Sequence, residues 1–290
     1  MDLAQHPDAA AYGHLVPRSP LVRRLLARNP SPFTFTGTGT FVVGHGTVAV
    51  VDPGPADPAH IDALLRGLRD EIVSHLVVTH THNDHSPACI AVKAATGAQI
   101  VGCVPLVLSD DGPRADAGFD PTYAPDRVLA DGESVDGPGW TLTAVATPGH
   151  TSNHLCFALA EEKALFTGDH VMGWSTTVVA PPDGDMAAYI ASLRKLLDRD
   201  DVTYHPTHGE AITDPQRLVR GYLVHRKQRE DQILKRLGQG PQAIPAMVAS
   251  MYAMVDKRLH PAAGRSVLAH LIDLRARGVV ATDGETWMLH

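Results

Sequence analysis

Thr79-His80-Thr81-His82-Asn83-Asp84-His85 crowds three imidazoles and a carboxylate into six residues, directly after the apolar run Leu76-Val77-Val78. A strand alternates its side chains between two faces, so it cannot aim four successive donors at one point. The donors therefore belong to the loop where that strand ends. Neutral imidazole and carboxylate together suit zinc or a similar divalent first-row metal, whose charge relieves their mutual repulsion.

With 17 histidines in 290 residues, one such loop would carry little weight by itself. The pattern downstream supplies the rest. Leu142-Thr143-Ala144-Val145-Ala146-Thr147 leads to Pro148-Gly149-His150, and Ala164-Leu165-Phe166-Thr167 leads to Gly168-Asp169. Val202-Thr203-Tyr204 then leads to Pro206-Thr207-His208-Gly209. Donors at the same end of several strands converge on one rim of a sheet, where active-site loops gather.

This series, HxHxDH followed by Gly-His, Gly-Asp and His-Gly, resembles the metallo-β-lactamase superfamily of metal-dependent hydrolases. The resemblance implies an α/β (α+β) chain folded as an αββα sandwich, with two metals in the cleft between the sheets. Carried over by position, His80, His82 and His150 hold the first metal, Asp84, His85 and His208 the second, and Asp169 bridges them. Asp84 and Asp169 are thereby the expected catalytic carboxylates. Two Zn2+ per chain are expected, with iron or manganese as alternatives. His82 stands where the oxygen-reducing diiron branch carries Glu, and no Cys occupies a ligand position as it often does in β-lactam-cleaving members. Asp52 resembles the early Asp that supports the metal loop by hydrogen bonds.

Composition sets the frame. The chain is 44% hydrophobic and 20% charged, ordinary for a globular protein. No run of eighteen apolar residues occurs, and Met1 to Arg28 lacks the basic-then-apolar pattern of a secretion signal, so a cytoplasmic protein is expected. Cys89, Cys103 and Cys156 are widely separated and read as buried small side chains. The net charge of -7 is uneven: residues 1–221 hold 15 basic against 26 acidic groups, and 222–290 hold 10 against 6. An acidic body disfavours tight duplex binding.

Along the chain, residues 1–32 read as an extended lead-in with a short helix near Leu21–Leu26. Phe33 to Val51 reads as two strands joined at Gly44-His45-Gly46. Asp57 caps a helix from Pro58 to Arg69, and Ser86-Pro87 opens another towards Ala95. Gln99 to Val104 is a strand, and Asp110 to Ala124 a polar loop near the site. Strands and turns continue from Val128 to Thr167, and Gly173 to Thr177 should border the cleft. Met186 to Leu197 carries an apolar helical stripe.

From Asp214 the character changes to one long helix over 214–237 with a charged run, His225-Arg226-Lys227-Gln228-Arg229-Glu230. Helices near 243–255 and 261–277 follow, then a hairpin over Val279–Leu289 about Asp283-Gly284. This is a winged-helix order, and it divides the chain into a catalytic domain of 1–221 and a winged-helix-like domain of 222–290. His225-Arg226, Pro261-Ala262-Ala263, Arg265 and Val267-Leu268-Ala269-His270-Leu271 resemble the tail of the β-lactamase-like protein 2 family, whose mitochondrial members are single-strand endoribonucleases. The match also takes in Ser175-Thr176-Thr177.

The resemblance implies a metal-bridging hydroxide acting on an ester, thioester or phosphodiester bond. The expected partner is a small-molecule ester or thioester, or single-stranded RNA, with no membrane and no sequence-specific DNA; a homodimer is also entertained. His154 and His170, next to ligands in sequence, are candidates for protonating the leaving group. Two rivals share the ligands: a glyoxalase II-like hydroxyacylglutathione thioesterase, and a mononuclear-iron persulfide dioxygenase.

Overall fold

The computed structural model describes residues 12–107 and 118–290. Its first half builds β1 (Val16–Pro17), β2 (Val22–Leu26), β3 (Gly39–Val43), β4 (Thr47–Val51), α1 (Pro58–Gly67), β5 (Ile72–Val78), α2 (Cys89–Thr96), β6 (Gln99–Gly102) and β7 (Arg127–Val128). The strands form one sheet in sequence order. Pairings are antiparallel from β1 to β4. They are parallel from β4 to β7. The parallel steps need crossovers, and α1 and α2 supply two of them. Asp57 starts α1 as expected, accepting from the Ala59 N–H at 3.0 Å.

The second half builds β8 (Ser134–Gly137), β9 (Trp140–Ala146), β10 (Leu155–Leu159), β11 (Ala164–Gly168), α3 (Met186–Leu197) and β12 (Thr203–Pro206). Their sheet runs β12-β11-β10-β9-β8, antiparallel except for β11 with β12. Alternation along these strands assigns the layers. Leu142, Ala144, Phe157 and Phe166 point into the core shared with the first sheet, where Phe41 and Phe166 rings lie 5.3 Å apart. Val145, Cys156, Ala158 and Leu165 point the other way, against Tyr189, Leu193 and Leu196 of α3. Two facing sheets with helices outside give the expected αββα sandwich.

The chain then continues as α4 (Pro215–Leu237), α5 (Ile244–Met251), α6 (His260–Ala276), β13 (Val280–Thr282) and β14 (Trp287–Leu289). Ile233, Leu237, Met247, Val267, Leu271, Val280 and Trp287 form a separate small core. The expected boundary between 221 and 222 falls inside α4, whose Val219 and Tyr222 belong to the core beneath the second sheet. Its charged run is split: Lys227 and Gln228 are exposed, while Arg226 and Glu230 lie on the buried stripe with Val219, Tyr222, Ile233 and Leu237.

Two local expectations are corrected. Leu21–Leu26 is not helical, because Val22 to Leu26 pairs along β3 and buries Val22 and Leu25 completely. The strand expected from Phe33 begins only at Gly39, and the residues before it turn over the site instead. Part of the Asp110–Ala124 loop, through residue 117, lies outside the described residues. Its described end packs on the metal loop, with Asn83 N–H donating to Gly118 and Asp120 N–H to Thr81, both at 2.8 Å. All three cysteines are free and buried. Burial lifts the Cys89 thiol well above its ordinary value and pushes Cys156 up to about 12. No helix among the described residues is long and apolar enough to cross a membrane.

Candidate metal centre

The seven expected donors meet at the ends of β5, β9, β11 and β12, in two neighbouring groups. His80, His82, His150 and Asp169 form one, and Asp84, His85 and His208 the other. His82 Nδ1 lies 2.8 Å from His80 Nε2 and 3.2 Å from His150 Nε2. His208 Nε2 lies 3.3 Å from both Asp84 Oδ2 and Asp169 Oδ1. His85 Nε2 is 3.6 Å from the same two oxygens. The other Asp169 oxygen, Oδ2, is 3.7 Å from His150 Nε2. One carboxylate thus reaches both groups.

Hydrogen bonds on the far side of each ring decide which nitrogen offers a lone pair. His150 Nδ1–H donates to the Val178 carbonyl at 2.7 Å, and His208 Nδ1–H to the Gly37 carbonyl at 3.1 Å. His85 Nδ1–H donates to Asp52 Oδ2 at 2.9 Å. His80 Nδ1 pairs at 3.0 Å with the Thr79 hydroxyl, which itself donates to Asp52 at 2.8 Å. Carbonyls and carboxylates only accept, so the Nε2 atoms of His85, His150 and His208 face the site as lone-pair donors. Lone pairs crowded in this way need a cation. His85 Nε2 is fully buried and makes no hydrogen bond, the mark of a donor set shaped for a divalent metal.

A proton competes with a cation for these atoms. Burial and the neighbouring imidazoles of His85 and His82 hold His80 well below its ordinary pKa. For His85 burial acts the same way, but Asp84, Asp169 and Asp52 outweigh it and raise the ring well above. His208 is lifted to about 10 against burial, chiefly by Asp169. Burial works against ionising Asp84 and Asp169, yet His85 and His208 hold both carboxyls well below the usual range. Both are anions at neutral pH.

Backbone geometry fixes the loops. Asp52 adopts φ +48°, which turns its carboxylate onto the Thr79 N–H at 2.8 Å and onto His85. This is the supporting role expected for it. Gly149 has φ +136°, and a Cβ there would meet the Tyr189 backbone at 2.3 Å, so His150 can follow only a glycine.

The sequence reading did not single out several supports. Thr38 Oγ1 donates to Asp84 Oδ2 at 2.8 Å. The Val178 carbonyl that holds His150 belongs to a loop anchored from α4. Tyr222 OH reaches the Met172 carbonyl at 2.8 Å, and Arg226 donates to the Thr177 carbonyl while lying 5.2 Å over the Tyr189 ring. Neither candidate acid lines the cavity over the donors. His154 Nε2 accepts from the Asp169 N–H at 3.2 Å, and its Nδ1 pairs with Thr147 Oγ1 at 2.9 Å. His170 is fully buried against Tyr189, and burial lowers it to about 3.

The cavity over the donors is lined by Phe33, Thr34, His82, Asp84, His150, Asp169, Met172, Val178 and His208, and encloses only about 40 Å³. Phe33 and Thr34 carry no chemical signature and could not have been found from sequence.

Residues 34–208 match the family described as the metallo-beta-lactamase superfamily, and residues 243–287 the beta-lactamase associated winged helix domain. A lactamase-like protein from Aspergillus sp. is 35% identical over 234 residues, covering 78% of this chain and 66% of its own. An atrochrysone carboxyl ACP thioesterase from Cryptosporiopsis sp. is 34% identical over 227 residues, covering 76% and 64%. The chain thus spans about two thirds of the length of these relatives. They are lactamase-like and thioesterase proteins, and not specifically of the β-lactamase-like protein 2 kind. A beta-lactamase domain protein from Burkholderia ambifaria superposes with TM-score 0.80 at 19% identity, covering 97% of this chain and 94% of that one. A metallo-beta-lactamase family protein from Thermus thermophilus superposes with TM-score 0.74 at 21% identity, covering 94% and 99%. With its sandwich, its convergent His and Asp donors and its winged-helix tail, this chain belongs to the metallo-beta-lactamase superfamily.

Proposed function

We propose that this protein hydrolyses an ester or thioester of a small molecule, with divalent metals, zinc in the first instance, that His80, His82, His150, Asp169, Asp84, His85 and His208 would hold. The observation that carries this reading is the orientation of the donors: His85, His150 and His208, each tied through Nδ1, turn Nε2 towards two ionised carboxylates, and His150 and His208 line one small cavity with them. When bound, such metals supply a water acidic enough to ionise near neutral pH and a Lewis-acid contact for a carbonyl oxygen.

The chain's own residues do the rest. Val178, Gly37 and Asp52 fix the imidazoles. Thr38 holds Asp84 by one oxygen. The tight wall of Phe33, Met172 and Val178 limits the water that reaches the reacting carbonyl. Of the two histidines expected as proton donors, His154 is hydrogen-bonded in the interior and His170 is buried, and neither lines the cavity, which favours a leaving group that departs as a stable anion, such as a thiolate. The thioesterase among the relatives supports the same bond type.

Single-stranded RNA cleavage, the reading nearest the β-lactamase-like protein 2 resemblance, is the second. The basic balance of residues 222–290 favours it, and the acidic body opposes it. Metal analysis of the purified protein beside thioester, lactone, bis-p-nitrophenyl phosphate and single-stranded RNA substrates separates the readings. Two zinc ions and thioester turnover are expected; one iron with oxygen uptake would point to a dioxygenase instead. Asp169→Asn and His82→Ala should each lower turnover at least ~100-fold while the circular dichroism stays native. Unchanged turnover in both variants would remove the metal mechanism.

A further inference from the structure

The cavity above the donors, at about 40 Å³, holds the reacting atoms and little else. Small-molecule sites commonly enclose ~300–1,000 Å³. The bulk of any substrate must therefore lie outside it, and Phe33 marks where. The same Phe33 also lines a second cavity of about 470 Å³. Its opposite wall comes from the C-terminal unit: Leu259, then Pro261 and Ala262 in the first turn of α6, with Arg258.

The chemistry of this wall is apolar. Pro32, Phe33, Leu259, Pro261 and Ala262 offer hydrocarbon and one aromatic ring. Its two charged side chains, Arg258 and Asp256, pair with each other at 2.6 Å and leave no net charge for a phosphate. A run of nucleotides needs a cationic track along its backbone, and among the described residues this groove has none. An apolar chain or ring attached to the scissile carbonyl fits instead, because its burial beside Phe33 removes hydrocarbon from water.

The geometry points to this groove as the acyl subsite: the C-terminal unit forms one wall of the substrate site and selects esters or thioesters whose acyl group is apolar and bulky. This rests on the hydrolase reading above, and names the substrate class for it.

The test compares the full-length protein with Ala262→Trp, which fills the groove, and Leu259→Arg, which charges it at an exposed position. Acetyl, dodecanoyl and 2-naphthoyl thioesters of N-acetylcysteamine report turnover, and calorimetry with dodecanoate reports binding without any need for catalysis. Ala262→Trp and Leu259→Arg should each lower kcat/KM for the two bulky thioesters at least tenfold, mostly through KM. The acetyl thioester should stay within twofold of wild type. The dissociation constant for dodecanoate should rise by a similar factor in both variants. Dodecanoate that fails to bind, or binds all three proteins alike, overturns the groove even if thioesters are hydrolysed. Variant-sensitive binding without any hydrolysis would uphold the groove and sink the hydrolase reading.

Discussion

Asp52 shows how one side chain outside the donor set governs it. Its carboxylate receives the Thr79 N–H, the Thr79 hydroxyl and His85 Nδ1, all between 2.8 and 2.9 Å. It therefore sets both the path of the metal loop and the ring that carries the buried Nε2. Asn tolerates the left-handed backbone that Asp52 occupies, so Asp52→Asn should fold, yet it offers one acceptor oxygen in place of two. Zinc affinity should fall about 10–100-fold, the usual cost of losing such a support, with a melting temperature close to wild type. A zinc titration with a chromogenic chelator checks it, and unchanged affinity would show that the carboxylate serves the loop alone. At this scale the sequence was legible wherever chemistry demands a residue type. His80, His82 and Asp84 were readable as candidate donors from their types and spacing. Thr38, Phe33 and the Val178 carbonyl were not, because any residue has a carbonyl and their parts come from position.

Among the elements, the helices with an apolar stripe and a cap were readable: α3 runs over Met186–Leu197 as expected, and α1 starts at its Asp57 cap. β2 was not, since Leu21–Leu26 has helix-forming residues and only its partner β3 makes it a strand. In α4 the charges misdirect, because Arg226 and Glu230 lie on the inner face. Glu230 there bonds Lys227 at 3.0 Å and meets Arg277. Beside them His270 of α6 is buried, and neither ring nitrogen makes a hydrogen bond. Burial lowers its pKa to about 3, with Arg226, His225 and Arg277 acting the same way and Glu230 opposing. The unfolded chain takes up this proton near 6.5, and the folded chain only near 3. Stability from this group is therefore complete above about pH 6.5 and drains away as the pH falls towards 3, by roughly 4–5 kcal/mol. Urea midpoints at pH 7 and pH 4.5 for wild type and His270→Gln test this. The variant should lose less on acidification; an equal loss would place the acid sensitivity elsewhere.

For the whole molecule, the sandwich and the winged-helix order were legible because each follows from the sequence of strands, helices and turns. How the tail meets the body was not, since that depends on which surfaces are left to cover. We propose residues 1–221 and 222–290 as the two folding units, but α4 crosses between them and Tyr222 and Arg226 hold the loop behind His150. A chain ended after residue 221 should therefore melt several degrees lower than the full protein and bind zinc less tightly. Equal melting and equal zinc affinity would make the tail a passive appendage. α4 itself has a mechanical consequence. A stiff rod whose ends are embedded in two different cores gives the pair no pivot, so any breathing that admits reactants and frees products falls to short surface turns, and the mouth between the units stays at a nearly constant width.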